Sequence, residues 1–171
     1  MSLLSRTCCL LLLSVLAACA TQPPDLAMLT TETPEQMVAA IRAAAGDGED
    51  ELAVQPLRDP QVEDLRQTAQ RLEAQQQYAD AAKALDQALA SVADDPALLQ
   101  ERAEIAVLQK DFPGAGKLAE RAYGLGSKVG PLCRRHWATI ERVRLVHGDA
   151  AGAVNAKTQV AACKVAAPNR F

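Results

Sequence analysis

Two stretches of this chain, Tyr78-Ala79-Asp80-Ala81-Ala82-Lys83-Ala84-Leu85-Asp86-Gln87-Ala88 and Phe112-Pro113-Gly114-Ala115-Gly116-Lys117-Leu118-Ala119-Glu120-Arg121-Ala122, align without a gap when Tyr78 is set on Phe112. Ala81/Ala115, Lys83/Lys117 and Ala88/Ala122 coincide, and an aromatic residue opens each stretch. A third copy begins at Gly148-Asp149-Ala150, where Ala153 follows Ala115 by four positions more than Ala115 follows Ala81. The four extra residues are expected in the glycine-rich connection from Gly124 to Gly130. A second apolar period precedes each copy: Leu65, Ala69 and Leu72, then Leu99, Ala103 and Ala106, then Trp137 and Ile140. Alanine at helical spacing lets two helices approach closely, while Leu, Tyr, Phe and Trp fill the gap that remains. The chain therefore predicts an all-α fold of recurring helix pairs. A generic helical bundle is the plainer alternative.

A helix pair that recurs about every 34 residues resembles the tetratricopeptide repeat. The resemblance covers residues 61–167. It implies an α-α superhelix of about three helical hairpins whose first helices line a concave groove. Trp137 and the Gly148-Asp149 turn fit the family pattern. Glu141 stands where the family has a small residue and Ala150 where it has an aromatic one, so the third copy diverges. The family's clamp for peptide termini uses Lys and Asn at set groove positions. Arg66 and Gln70 stand there in the first copy, and Gln100 and Glu104 in the second, which departs from that clamp.

The full chain has 171 residues, 49% of them hydrophobic and 23% charged, which suits one ordered domain. Only 3% are aromatic and the formal charge is −3, so base stacking and nucleic-acid wrapping are excluded as working roles.

Met1 to Ala20 reads MSLLSRTCCLLLLSVLAACA, with Arg6 ahead of an apolar run and no acidic residue before Asp25. That is the pattern of a secretory signal, too short to remain as a spanning helix. The run ends in Leu16-Ala17-Ala18-Cys19, which resembles the lipobox of bacterial lipoproteins. The resemblance implies removal of residues 1–18 and acylation of Cys19. Several acyl chains on one cysteine would anchor firmly where a single chain binds marginally. Ala20 follows the cysteine in place of the aspartate that signals inner-membrane retention, so the resemblance implies the periplasmic face of the outer membrane. Ordinary secretion is the alternative, because Ala18-Cys19-Ala20 also fits an A-x-A cleavage site. Cleavage before Cys19 removes Arg6 and leaves a formal charge of −4 on the mature chain.

Residues 19–32 read as a tether with two prolines. Residues 33–60 open with Thr33-Pro34-Glu35-Gln36, a capping box with proline at the first helical position. Met37, Ile41 and Ala44 share a face, and Gly46 stops the helix. An acidic turn (residues 47–51) and an extended segment reaching Leu57 follow. The last helix ends near the terminus without a polar cap. Either the helix over 34–45 folds back, or the Val154/Val160/Val165 side meets another chain as a homodimer.

Candidate chemistry is sparse. Cys133 stands at the start of a first helix in the repeat register, and Cys163 near the end of its antiparallel mate. A disulfide suits that register in an oxidising compartment, and two free thiols are the alternative. Cys133-Arg134-Arg135-His136 contains a C-x-x-H, but no second C-x-x-C accompanies it, so neither a metal nor another cofactor is expected. No nucleophile elbow or phosphate loop appears, and no catalytic residue is expected.

Charge is distributed unevenly. Residues 128–171 hold eight Lys/Arg against two acidic residues, net +6, whereas residues 19–127 carry net −10. Arg135 and Arg142 are seven apart, hence on one helical face, and the resemblance places that face in the groove. They are the candidate contacts for an acidic envelope protein or peptide. A merely solvated face is the alternative. The expectation is a lipid-anchored scaffold or adaptor of the bacterial envelope. Its rival is a structural or stress-protective lipoprotein without a groove ligand.

Overall fold

The computed structural model describes residues 28–46 and 59–164. The signal segment, Cys19, the acidic turn at 47–51, the segment reaching Leu57 and Val165 lie outside the described residues. Seven helices make up the described chain: α1 (Pro34–Ala43), α2 (Pro60–Ala74), α3 (Tyr78–Ser91), α4 (Pro96–Leu108), α5 (Phe112–Leu125), α6 (Pro131–Val146) and α7 (Ala150–Ala162). The fold is all-α. Among the described residues no helix is long and apolar enough to cross a membrane.

Helix starts are written in the chain. Pro34, Pro60, Pro96 and Pro131 sit in the first helical turn, where no intrahelical N–H is needed. Asp59, Asp95, Asp111 and Asp149 accept hydrogen bonds from the amides that follow them. Thr33 and Gln36 close a capping box on α1, with Thr33 N donating to Gln36 Oε1 at 2.8 Å.

Helices α2/α3, α4/α5 and α6/α7 pack as consecutive antiparallel hairpins. Their turns repeat the sequence offsets. Gln76, Lys110 and Gly148 have positive φ (59°, 62° and 71°). Gln76 and Lys110 are spaced as Tyr78 and Phe112 are, and Lys110 and Gly148 as Ala115 and Ala153 are. After each, an amide closes the turn at 2.9 Å: Gln77 N to Leu72 O, Asp111 N to Ala106 O, and Asp149 N to Arg144 O. The four extra residues do not all lie in the glycine-rich connection. The α5–α6 link (residues 126–130) is one longer than the α3–α4 link (residues 92–95), and α6 starts three residues further from its turn than α4 does. Ala81, Ala88, Ala115, Ala119 and Ala122 are fully buried, so backbones meet closely along each hairpin.

Helix α1 has no mate. It folds back, but not over the end of α7: it packs on α4 and α6, the first helices of the second and third hairpins. Met37, Val38 and Ile41 are buried in the main core beside Leu98, Ile105 and Ala138. This addition surrounds α4, nine of whose thirteen residues are buried. On α7, Val154 is 68% exposed whereas Val160 packs on the core. Six residues apart on a helix, the two valines cannot share a face, so the apolar side expected for a homodimer is split.

Candidate functional site

The row of first helices carries a polar network beneath α1. Glu104, in the middle of α4, is fully buried. Its Oε2 accepts from Arg42 Nε of α1 at 2.8 Å. Its Oε1 accepts from Arg135 Nε and NH2 of α6 at 3.0 and 2.5 Å and from Gln100 Nε2 at 2.9 Å. A carboxylate in so apolar a helix is tolerable only with this many donors. Gln100 Nε2 also donates to Thr139 Oγ1 at 2.8 Å, and Thr139 donates onward to Arg135 O at 3.0 Å. With both amide hydrogens committed, Gln100 Oε1 faces His136 Nδ1 at 2.8 Å, so His136 carries its proton there. Arg42 also meets Glu73 at 2.8 Å. Burial opposes its charge, but the hydrogen bond with Glu73 and the nearby Glu104 outweigh burial and hold its pKa above the ordinary arginine value.

His136 is fully buried, and burial pushes its pKa down to about 4, with Arg135 and then Lys128 adding to the effect. A histidine that is neutral when folded and ordinary when unfolded binds more protons in the unfolded state between pH about 6.5 and about 4. Stability is therefore lost as pH falls through that window, by about 3 kcal/mol when the shift is fully expressed. We expect urea midpoints of the wild type to fall between pH 7 and pH 4 by more than those of His136→Asn, whose amide can still donate to Gln100. Equal falls in both proteins would show that His136 does not titrate there.

Beside the network lies a cavity of about 460 Å³ between α2 and α4, open next to the C-terminal end of α1. Arg42, Arg66, Gln70, Glu73, Glu101 and Arg135 line it. Arg66 Nε donates to both oxygens of Glu101, at 2.7 and 2.8 Å, and this pairing raises its pKa. Arg66 and Gln70, the departures from the peptide clamp in the first copy, thus stand at an open cleft. Gln100 and Glu104, their counterparts in the second copy, lie under α1.

The two arginines expected to meet a partner are engaged within the chain. Arg135 binds Glu104, and Arg142 Nε lies 2.9 Å from Glu32 Oε2 and its NH1 3.1 Å from Glu141. Their neighbour Arg134 donates to the carbonyls of Ala44 and Ala45 at the C-terminal end of α1. This is a correction to the reading of a free basic face: its charge holds the chain's own N-terminal segment. Leu29 N adds a bond to Leu145 O at 2.9 Å. Sequence reasoning missed α1 as the occupant, although a glutamate inside Ala97-Leu98-Leu99-Gln100-Glu101-Arg102-Ala103-Glu104-Ile105-Ala106 was a signal that some cation must cover it.

Cys133 and Cys163 are joined, with Cα atoms 5.8 Å apart, and Gly130 N donates to Cys163 O at 2.7 Å beside the bond. The two ends of the C-x-x-H turn are therefore committed separately, one to sulfur and the other to Gln100. Trp137 packs on Tyr123, ring centroids 4.8 Å apart. Lys128 lies over the Tyr123 ring and donates to the carbonyls of Tyr123 and Gly124.

No protein-family model matches the sequence, and no curated protein matches it. Among solved structures, the globular C-terminal domain of P. aeruginosa LpoP is similar at 26% sequence identity and a TM-score of 0.57, over 61% of this chain and 99% of that domain. In fold and sequence, the chain is similar to a domain of a bacterial lipoprotein.

Proposed function

We propose that this chain is a lipid-anchored adaptor of the bacterial envelope, tethered through Cys19 to the periplasmic face of the outer membrane, whose tetratricopeptide-like hairpins dock another envelope protein. The carrying observation is the cleft between α2 and α4. It is the part of the first-helix row that α1 leaves open, and it presents Arg66 and Gln70 with the paired carboxylates Glu73 and Glu101. Such a cleft, with paired charges over the apolar floor of Ala69, Leu85 and Ile105, suits a polar side chain with an apolar stem from a protein partner. The N-terminal signal and the likeness to the LpoP domain support the envelope setting. The role proposed for the cleft is binding. A structural lipoprotein without a ligand is the second reading, favoured by the internal pairing of Arg135 and Arg142.

A photo-crosslinking amino acid at Gln70 in living cells tests the adaptor reading, with the same group at the exposed Asp80 of α3 as control. We expect one envelope protein captured from position 70 and not from position 80, and identical adducts from both would remove the proposal. Cys19→Ser should move the chain from the membrane fraction to the soluble one. Retention on the membrane would remove the anchor.

A further inference from the structure

The mode of attachment of α1 points beyond a fixed structural role. It lies outside the repeating hairpins and has no antiparallel mate. Three polar fastenings hold it along α4 and α6: Glu32 on Arg142 ahead of its start, Arg42 on Glu104 near its end, and Arg134 on the carbonyls of Ala44 and Ala45. Between them it inserts Met37, Val38 and Ile41, an i, i+1, i+4 pattern read by a groove. The floor beneath it is also unusual. Glu104 keeps Arg135 and Gln100 when α1 is away, and Gln100 keeps His136 and Thr139. Departure of α1 therefore leaves Glu104 paired through Oε1 while its Oε2 loses Arg42, and Arg142 keeps Glu141. An apolar slot for Met37, Val38 and Ile41, flanked by charged groups that keep partners when it empties, is built like a helix-binding site.

We propose that the first-helix row is a helix-binding groove that α1 fills in cis, and that a partner's amphipathic helix of the same pattern fills in trans. That partner segment carries apolar residues at i, i+1 and i+4, a carboxylate five residues before them, and an arginine at i+5. The proposal rests on the adaptor reading and names its regulation: docking over α4 and α6 is closed while α1 is seated, whereas the cleft at Gln70 stays open.

The test uses the full chain with a protease site inserted within residues 47–58, cut after purification, and a fluorescent peptide of residues 28–46 as probe. In the cut protein the probe exchanges into the groove while helicity and the Cys133–Cys163 bond are retained. A probe carrying Ile41→Asp binds at least about tenfold more weakly, because a charge would enter the apolar slot. The uncut chain binds the probe far more weakly still, since the tethered α1 competes at an effective concentration of roughly millimolar. Hydrogen exchange on the uncut chain shows α1 amides opening ahead of those of α4. The proposal is overturned if cutting unfolds the hairpins, or if the cut segment leaves only at the denaturant concentration that unfolds them. Probe exchange without any protein captured at Gln70 would uphold the groove while removing the adaptor reading. Capture at Gln70 without probe exchange would do the reverse.

Discussion

Replacing Glu104 with alanine lowers the unfolding free energy by about 3–5 kcal/mol, the range for breaking a buried ion pair by deleting one partner. The cause is less the lost attraction than what remains. Arg42 and Arg135 converge on one carboxylate that is fully buried, and Gln100 donates to the same oxygen as Arg135. Without it, Arg135 loses its counter-ion while Arg42 keeps Glu73, a cavity opens in α4, and an amide hydrogen of Gln100 loses its acceptor. Glu104→Gln keeps the volume and one acceptor oxygen, so its loss should be smaller. Arg66→Ala, which leaves Glu101 behind, provides the comparison: Glu101 is 13% exposed where Glu104 is 0%, so water takes over much of the interaction and the cost should stay near about 1 kcal/mol. Urea unfolding of the three variants at pH 7 checks the order. A loss below about 1 kcal/mol for Glu104→Ala would mean that water reaches the carboxylate and that α1 is not seated as described.

The same residue marks where sequence reasoning stopped. Hairpin positions were legible because they depend on local spacing: alanines at 81, 115 and 153, and turns whose positive-φ residues keep the same offsets. Capping was legible for the same reason, since Thr33 and Gln36 meet within one helical turn. The place of α1 was not. Arg42 reaches Glu104 across 62 residues and Arg134 reaches Ala44 across 90, and no periodicity encodes such pairings. The excess of positive charge after residue 128 was visible, but charge alone does not say whether its counter-ions belong to a partner or to the same chain. Here Glu32, Glu104 and the carbonyls ending α1 supply them. The cleft at Arg66 and Gln70 was largely legible: the repeat register marked those two positions and put Arg135 on the groove face, while Arg42 came from the fold-back.

Removing the Cys133–Cys163 bond costs roughly 3–4 kcal/mol in the chain-entropy account, because the bond closes a loop of sequence separation 30 that the unfolded chain otherwise explores freely. The loss should be uneven. The hairpin of α6 and α7 still has Ala138, Ile140, Ala153 and Ala156 buried along its length, so its middle persists. The end near the bond depends on it more. Gly130, at φ 90° and ψ −176°, sits in a conformation open to glycine alone and hands its N–H to Cys163 O. Once Cys163 is free, that bond frays, and with it the start of α6, where Arg134 holds the carbonyls ending α1. The double variant Cys133→Ala/Cys163→Ala should therefore show faster hydrogen exchange at the end of α7, the start of α6 and the end of α1, with α2 and α3 unchanged. Reduction of the wild type should reproduce the shift in unfolding midpoint and leave the double variant unmoved. Uniform acceleration across all seven helices would instead mean that the bond supports the whole array, and a midpoint insensitive to reduction would mean that the hairpin holds without it.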